Sequence, residues 1–286
     1  MDSQRSDFMF GRILLNNNLP LKERLKRYSA YSSRRRGAKV TWEKSFNKIF
    51  EIHPDYKIPC DRFIEKEHKS YWSYFNNRIN ISTLRICKNI SGVANPKFIP
   101  EEIFYADIEP TLNQTPEVEY VAYKSFYNRW FPGNTFPHSF FHNVDGEWLD
   151  HDLNPISFSE VHSIAKTLDY PVVLKPNRDS YGGQNVVFPR NSEELIANAA
   201  KKKNIVVQEK INQHPYFSKY HKDSLNTFRV HVYRSVIDNK LHIINAAFRT
   251  GLGGNSRDNV SAGGIASIIN KDGYLNGYAV DKYGKK

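Results

Sequence analysis

Apolar residues recur at three- and four-residue spacings through the first hundred positions, then give way to alternation and short runs. The spacing predicts helices over 21–28 and 42–52, the second carrying Trp42, Phe46, Ile49 and Phe50 along one side. Asp61 stands where a third helix starts, and Phe63, Ile64, His68, Tyr71, Trp72 and Phe75 follow on one broad face as packing residues. Pro96, Pro100 and Pro110 punctuate a stretch containing Ile103, Tyr105 and Ile108, which reads as short extended pieces. A further helix is predicted over 118–130, ending before Pro132-Gly133.

From there the period shortens. Residues 139–144 alternate as a strand, and Asp145-Gly146 is a strong hairpin turn into 147–149. Ser157 or Ser159 caps a helix through Val161, Ile164 and Leu168, and Val172-Val173-Leu174 opens a buried strand. A glycine-containing loop over 177–184 leads to a strand at 185–188, and Asn191 or Ser192 caps a helix over 193–201. Strands are predicted at 205–209, 227–236, 241–249 and 265–269. A helical N-terminal region thus precedes an α+β body with hairpins rather than a steady βαβ alternation. Neither a G-x-G-x-x-G fingerprint nor a G-x-x-x-x-G-K-[ST] loop is present, which excludes the usual dinucleotide and P-loop readings.

Composition narrows the class. The 286 residues are 40% hydrophobic and 14% aromatic, ample for packed cores and unlike a disordered chain. No apolar run reaches the ~18 residues of a membrane span. The 8–15 stretch, interrupted by Arg12 and preceded by Asp2 and Asp7, does not read as a signal peptide. Cys60 and Cys87 alone make neither a disulfide framework nor a zinc site; together these features predict a cytoplasmic protein. The net charge of +11 is concentrated: residues 1–40 hold ten Lys/Arg against three acids, including Arg34-Arg35-Arg36. This basic arm reads as a solvated helix and turn, or as a contact for an anionic membrane, glycan or nucleic acid. No zinc-ligand spacing or RNA-binding aromatic signature favours nucleic acid.

Four stretches carry candidate chemistry. In the first, Lys175 interrupts an apolar strand, a costly place for an ammonium unless it meets an anion. Ser180, Gly182 and Gly183 follow in a loop whose backbone can approach phosphate closely. In the second, the strand at 205–207 runs into Gln208, Glu209, Lys210 and Ile211, a strand end able to present edge groups to a purine. In the third, Arg229 shares a strand face with His231 and Tyr233, which suits an anion clamp or an exposed edge. The fourth runs from Arg249 through a glycine- and asparagine-rich loop to Gly263 and Gly264.

In this order the stretches resemble the ATP-grasp fold, two α+β lobes gripping ATP. They resemble more closely the branch associated with sugar transfer in exopolysaccharide and capsule clusters, over roughly residues 45–280. The upstream Ile108-Glu-Pro-Thr-Leu-Asn113, Tyr123-Lys-Ser-Phe-Tyr127 and Val144-Asp-Gly146 are similar to that branch as well. The resemblance implies a helical region at 1–100, a linking region at 101–155, a small lobe with flap and hinge at 156–212, and the start of the second lobe at 213–286. It implies that Lys124 and Lys175 bind ATP phosphates under a flap over 179–184, with Ser180, Gly182 and Gly183 in it. Gln208 to Ile211 would then form the adenine hinge, with Gln208 and Glu209 both candidates for the side-chain contact, and His214 would neighbour the ribose. Arg229 and Arg249 would stabilise the transferring phosphoryl group, and Asn259, Gly263 and Gly264 would lie on the acceptor side.

Two departures stand out. The family pattern Asp-Lys-Asn is Tyr123-Lys124-Ser125 here. The acidic residue and Glu-x-Asn pair that hold Mg²⁺ in the family are not found after Gly264, where Asp272 and Asp281 are the only acids. The expectation is therefore an ATP-dependent carboxylate–amine or carboxylate–thiol ligase of polysaccharide assembly, joining a carboxylate to a sugar- or amino-acid-derived acceptor. As this chain it would be a fragment or degenerate copy with little turnover and no metal ligands of its own. The rival readings are a non-catalytic basic protein on an anionic polymer or membrane, and a kinase-like transfer on the same fold.

Overall fold

The computed structural model describes residues 18–75, 78–113, 117–133, 135–180 and 182–286, with Val118 and Glu119 as backbone only. The first part of the basic arm, including Arg5 and Arg12, and Tyr181 of the predicted flap lie outside the described residues. The chain divides into two compact units, Met1–Gln114 with Tyr283–Lys286, and Thr115–Lys282.

The first unit is helical. Its longest element, α1 (Leu21–Ile52), is continuous where the sequence predicted two separate helices. Nothing in 29–41 breaks a helix except Gly37, whose cost of about 1 kcal/mol relative to alanine is easily offset by packing. Tyr31, Ala38, Phe46 and Phe50 supply that packing. Two of the three consecutive arginines are engaged within the unit: Arg34 donates to the Ala106 carbonyl at 3.0 Å, and Arg35 pairs with the buried Asp107 at 3.2 Å. Tyr31 also hydrogen-bonds Asp107. Part of the basic arm is therefore internal rather than wholly solvated.

Asp61 caps α2 (Arg62–Trp72), accepting from the Phe63 and Ile64 amides. His68 and Trp72 of that helix are buried, whereas Phe63 and Tyr71 are exposed, so its packing face is narrower than the sequence predicted. α3 (Ser82–Ser91) ends at Gly92, whose φ of 79° is the left-handed cap that favours glycine. Phe46, Phe50, Tyr56 and Ile86 form a core to which the chain's last residues return: the Tyr56 hydroxyl donates to the Gly284 carbonyl at 3.0 Å.

The stretch predicted to be extended is helical instead, with Glu101–Ile103, a π-turn at Phe104–Ile108 and a final turn at Glu109–Leu112. Pro110 lies in the first turn of that last element and supplies no amide hydrogen; the Ala106 carbonyl four residues back accepts from Arg34 instead.

The second unit carries two sheets. β1 (Ser139–Val144), β2 (Glu147–Asp150), β3 (Val173–Pro176) and β4 (Ile205–Gln208) form an antiparallel sheet in the order β2-β1-β4-β3. One face packs Phe141, Leu174, Ile205 and Val207 against α4 (Phe158–Thr167) and α5 (Ser192–Ala199), through Val161, Ala165, Leu195 and Ala199. A capping box starts α4: Ser157 accepts from the Glu160 amide and Glu160 reaches back to the Ser157 amide.

The predicted strand at 185–188 is only a bridge, Leu174 exchanging both backbone hydrogen bonds with Val187. The predicted helix at 118–130 is broken into Val118–Val121, a tight turn at Lys124–Phe126 and Tyr127–Trp130. The break has a cause: the Lys124 amide, which would continue the helix, donates to the Asn177 carbonyl at 2.7 Å.

The second sheet orders β5 (Thr227–Arg234), β6 (Leu241–Thr250) and β7 (Ile265–Ile269) as β5-β6-β7. Phe248 is buried in an aromatic cluster with Phe217, Tyr220 and Phe228. Beyond that cluster Val230, Val232, Leu241 and Ile243 are all exposed. Among the described residues no helix is long and apolar enough to cross a membrane.

Candidate functional site

The face of the first sheet turned away from α4 and α5 floors the site. Strand alternation puts Leu174 and Val207 into the core, and so places Val173, Lys175 and Gln208 on the opposite side. There they line a cleft of about 810 Å³ within the second unit. Gly182 and Gly183, the run Gln208 to Gln213, and Arg257 and Asp258 complete much of its wall.

Lys175 is the dominant charge. Burial, and then the nearby Lys124 ammonium, push its pKa down to about 8. Among the described residues no carboxylate or hydrogen-bond partner compensates it. Lys124 is depressed as well, chiefly by burial and against the opposing pull of Asp179, and its Nζ donates to Ser180 Oγ at 3.1 Å. Two ammonium groups held together with Asp179 acting on only one of them leave net positive charge, which suits an anion. His142 shares its face with Lys175 through the register His142–Val206–Lys175, but burial holds its pKa down to about 4. Its imidazole is neutral and adds no third charge.

The 179–184 loop relies on left-handed backbone at Asp179, Gly182 and Gly183, with φ of 50°, 59° and 72°. A β-carbon at Gly182 would meet the Asn259 side chain at 3.4 Å, and one at Gly183 would meet Arg257 at 3.2 Å. The loop thus lies against the 250–264 segment, with Asn259 beside it. Arg178, at its root, is pinned by the Tyr123 hydroxyl and by Asp145 at 2.9 Å.

At the other end of β3 and β4, Gln208 is almost fully buried, with its carboxamide Nε2 donating to Ser139 Oγ at 2.9 Å and the Pro137 carbonyl at 3.3 Å. Among the described residues its Oε1 has no partner. Glu209 exchanges hydrogen bonds with the His138 backbone through its own amide and its carboxylate, at 3.0 and 2.9 Å. Of the two candidates for the hinge side chain, Gln208 is the one with an unused buried acceptor. Lys210 and Ile211 also line the cleft.

The remaining sequence candidates are more dispersed. His214 caps the Pro215–Ser218 turn, its Nδ1 accepting from the Tyr216 amide at 3.1 Å, and it is not part of the cleft wall. Arg229 is exposed on β5 and also stands outside that wall. Arg249 is held by Asp258 at 2.9 Å and by Thr227 Oγ1, and Thr227 in turn hydrogen-bonds Asp258. It reaches the cleft only through Asp258. Asn259 caps a short turn, accepting from the Ser261 amide, and Gly263 ends it at φ 100°.

Gly264 is fixed by space: a β-carbon there would lie 2.4 Å from the Asp258 carbonyl oxygen and 2.8 Å from that of Thr250. Gly264→Ala will therefore push the 250–264 segment apart and release Asp258 from Arg249. We expect a loss of about 1–3 kcal/mol of stability, read by thermal melting.

A family model for sugar-transfer associated ATP-grasp proteins matches residues 104–286. The chain belongs to the sugar-transfer associated ATP-grasp family. The two-sheet body and the helical N-terminal region are those the resemblance implied for an ATP-grasp chain. No curated protein matches the chain. A solved structure, the biotin carboxylase domain dimer of 2-oxoglutarate carboxylase from Hydrogenobacter thermophilus with MgADP, ADP and bicarbonate, matches at 14% identity and a TM-score of 0.32. That match covers 57% of this chain and 40% of the other.

In the ATP-grasp cleft the residues present fit a nucleotide: the buried Lys175 ammonium, with Lys124 near it but outside the cleft wall, and, among the described residues, an unpaired buried acceptor at Gln208. They do not fit magnesium in the same way. Among the described residues no group of three or more His, Cys, Asp or Glu is placed to hold a metal ion.

The sequence missed Ser139, Arg257 and Asp258 as cleft or supporting residues. Ser139 gives no signal, since a serine opening a strand is ordinary. Asp258 has one: it lies nine residues after Arg249 in a glycine-rich loop, close enough to turn back and pair.

Proposed function

We propose that the cleft binds ATP, with its phosphates at Lys175, Lys124 and the 179–184 loop and its base at Gln208 to Ile211. The protein would serve an ATP-dependent carboxylate–amine or carboxylate–thiol ligase reaction in cell-surface polysaccharide assembly. The acceptor would be derived from a sugar or an amino acid. ATP supplies the phosphoryl group that activates the carboxylate. This chain's residues bind and orient it: the two ammonium groups hold phosphate oxygens, the loop covers them, and Asp258 keeps Arg249 at the edge of the cleft. The observation that supports this reading most is the uncompensated Lys175 ammonium in the floor of the cleft. Asn259, Gly263 and Gly264 would bound the acceptor side, and Arg229 and Arg249 would stabilise the transferring phosphoryl group.

The test is titration with ATP across pH, and its sign follows from Lys175. In the free protein Lys175 loses its proton as pH rises through about 8. A bound polyphosphate requires the ammonium, so binding above that pH must take up a proton. Affinity should hold below pH 8 and fall above it, by up to about tenfold per pH unit. Lys175→Arg, which stays charged, should flatten the profile. A flat wild-type profile would remove Lys175 from the phosphate site. The ligase step is tested by trapping an acylphosphate with hydroxylamine in the presence of ATP, Mg²⁺ and candidate carboxylates.

A further inference from the structure

The carboxamide of Gln208 is unusual in being both buried and held one way round. It is only 3% exposed, yet it lines the cleft. Its Nε2 faces two oxygens, Ser139 Oγ at 2.9 Å and the Pro137 carbonyl at 3.3 Å. A backbone carbonyl can only accept, so turning the amide over would set oxygen against oxygen. A second amide makes the same choice: Asn128 Nδ2 donates to the Pro137 carbonyl at 3.1 Å and to Ser139 Oγ at 3.4 Å. The two amides converge on the same pair of oxygens, and among the described residues neither buried carbonyl oxygen has a partner.

We infer that Ser139, with the Pro137 carbonyl and Asn128, is a positioning group that fixes Gln208 so that this end of the cleft offers only an acceptor. It thereby selects a base carrying an exocyclic amine over one carrying a carbonyl oxygen at the same edge. This rests on the nucleotide reading of the cleft. An amine donates to Oε1 and satisfies it. A carbonyl oxygen there leaves two acceptors facing each other in a buried site, where an unmade hydrogen bond costs most. Glu209 differs: its Oε1 accepts from the His138 amide, and its side chain is exposed, where an unmade hydrogen bond is replaced by one to water and costs little.

The experiment compares binding of ATP with that of ITP, which has a carbonyl oxygen in place of the amine and a hydrogen on the neighbouring N1, and adds GTP as a second carbonyl-bearing base; the Gln208 variant separates the side chain's share from that of N1. Wild-type protein should bind ATP about tenfold or more tighter than ITP. Gln208→Leu should bring that ratio close to one. Ser139→Ala, which frees one side of the amide, should lower the ratio about threefold or more, and Ser139→Thr, which keeps the hydroxyl, should preserve it. A merely structural role for Ser139 would weaken ATP and ITP alike and leave the ratio unchanged, which would overturn the inference. So would a wild-type ratio near one, a measurement that needs no variant to fold. Failure of wild-type protein to bind any of the three nucleotides would instead sink the nucleotide reading itself.

Discussion

Lys175→Met will make the nucleotide-free protein more stable and at the same time weaken its affinity for ATP at least about tenfold. The two effects come from one cause. Lys175 is held in the cleft floor without a compensating carboxylate among the described residues, and burial lowers its pKa from 10.5 to about 8. Below pH 8 the folded and unfolded chains both carry the proton, and the folded state bears the full cost of desolvating it. Between 8 and 10.5 the unfolded chain binds more protons, so stability rises with pH across that window. Methionine, similar in length and apolar, removes the cost. At pH 7 the gain should be about 1–2 kcal/mol, less than the whole shift implies because the lysine is only half-buried and keeps some water.

Nucleotide binding should move the other way. A desolvated ammonium against phosphate makes charge-assisted hydrogen bonds worth about 1.5–3 kcal/mol, so ATP affinity should drop roughly 10- to 100-fold or more. Melting curves with and without ATP measure both effects: the variant should melt higher alone and gain little from ATP. A variant that melts lower without nucleotide would show that Lys175 is a stabilising residue with a partner, and the anion-site argument would fail.

The adjacent residue gives the opposite result. Leu174→Ala will destabilise the second unit by about 2–5 kcal/mol while leaving every cleft side chain in place. Leu174 is fully buried, packed with Phe141, Val161, Val207 and Leu195 between the sheet and its two helices. Its backbone also pairs with Val187 across the base of the 179–184 loop. Removing three carbons there leaves a void that the surrounding strands and helices cannot close. Chemical denaturation monitored by the tryptophans should show the midpoint falling. Nucleotide affinity measured well below that midpoint should stay within a few-fold of wild type. Loss of affinity in proportion to stability would mean that the cleft is not preformed on a rigid sheet.

The contrast between Leu174 and Lys175 also shows what was legible in the sequence. A lysine in an apolar strand marked itself as costly, and the strands at 172–176 and 205–208 were plain from their apolar runs, but which side of each faces the core comes only from their pairing and packing. The aspartate cap at 61 and the hairpin at 145–146 were equally plain, because their chemistry is local, and of the two serines offered as caps for the helix after 157 the structure uses Ser157.

What depended on distant partners was not legible. The 118–130 helix was misread because Asn177, far along the chain, takes the Lys124 amide. The helical continuity through Arg34 and Arg35 depends on Ala106 and Asp107, seventy-two residues later in each case. The orientation of Gln208 rests on Ser139 and Pro137, sixty-nine and seventy-one residues earlier. Arg249 was marked as chemical by its place in the sequence, but only the structure shows that Asp258 already neutralises it.

The exposed apolar side chains of the second sheet bear on how the protein can be handled. Val230, Val232, Leu241 and Ile243 lie on two neighbouring strands, and β5 is an outer strand with one free backbone edge. Such a surface is sticky both face-on and edge-on. Sulfate and phosphate salts strengthen that attraction by raising the cost of wetted hydrocarbon. Concentrating the protein in them would therefore favour clumping through this sheet. Dilute, low-salt stocks would keep molecules apart, since a chain of +11 net charge repels its own copies most strongly when little salt is present to screen it.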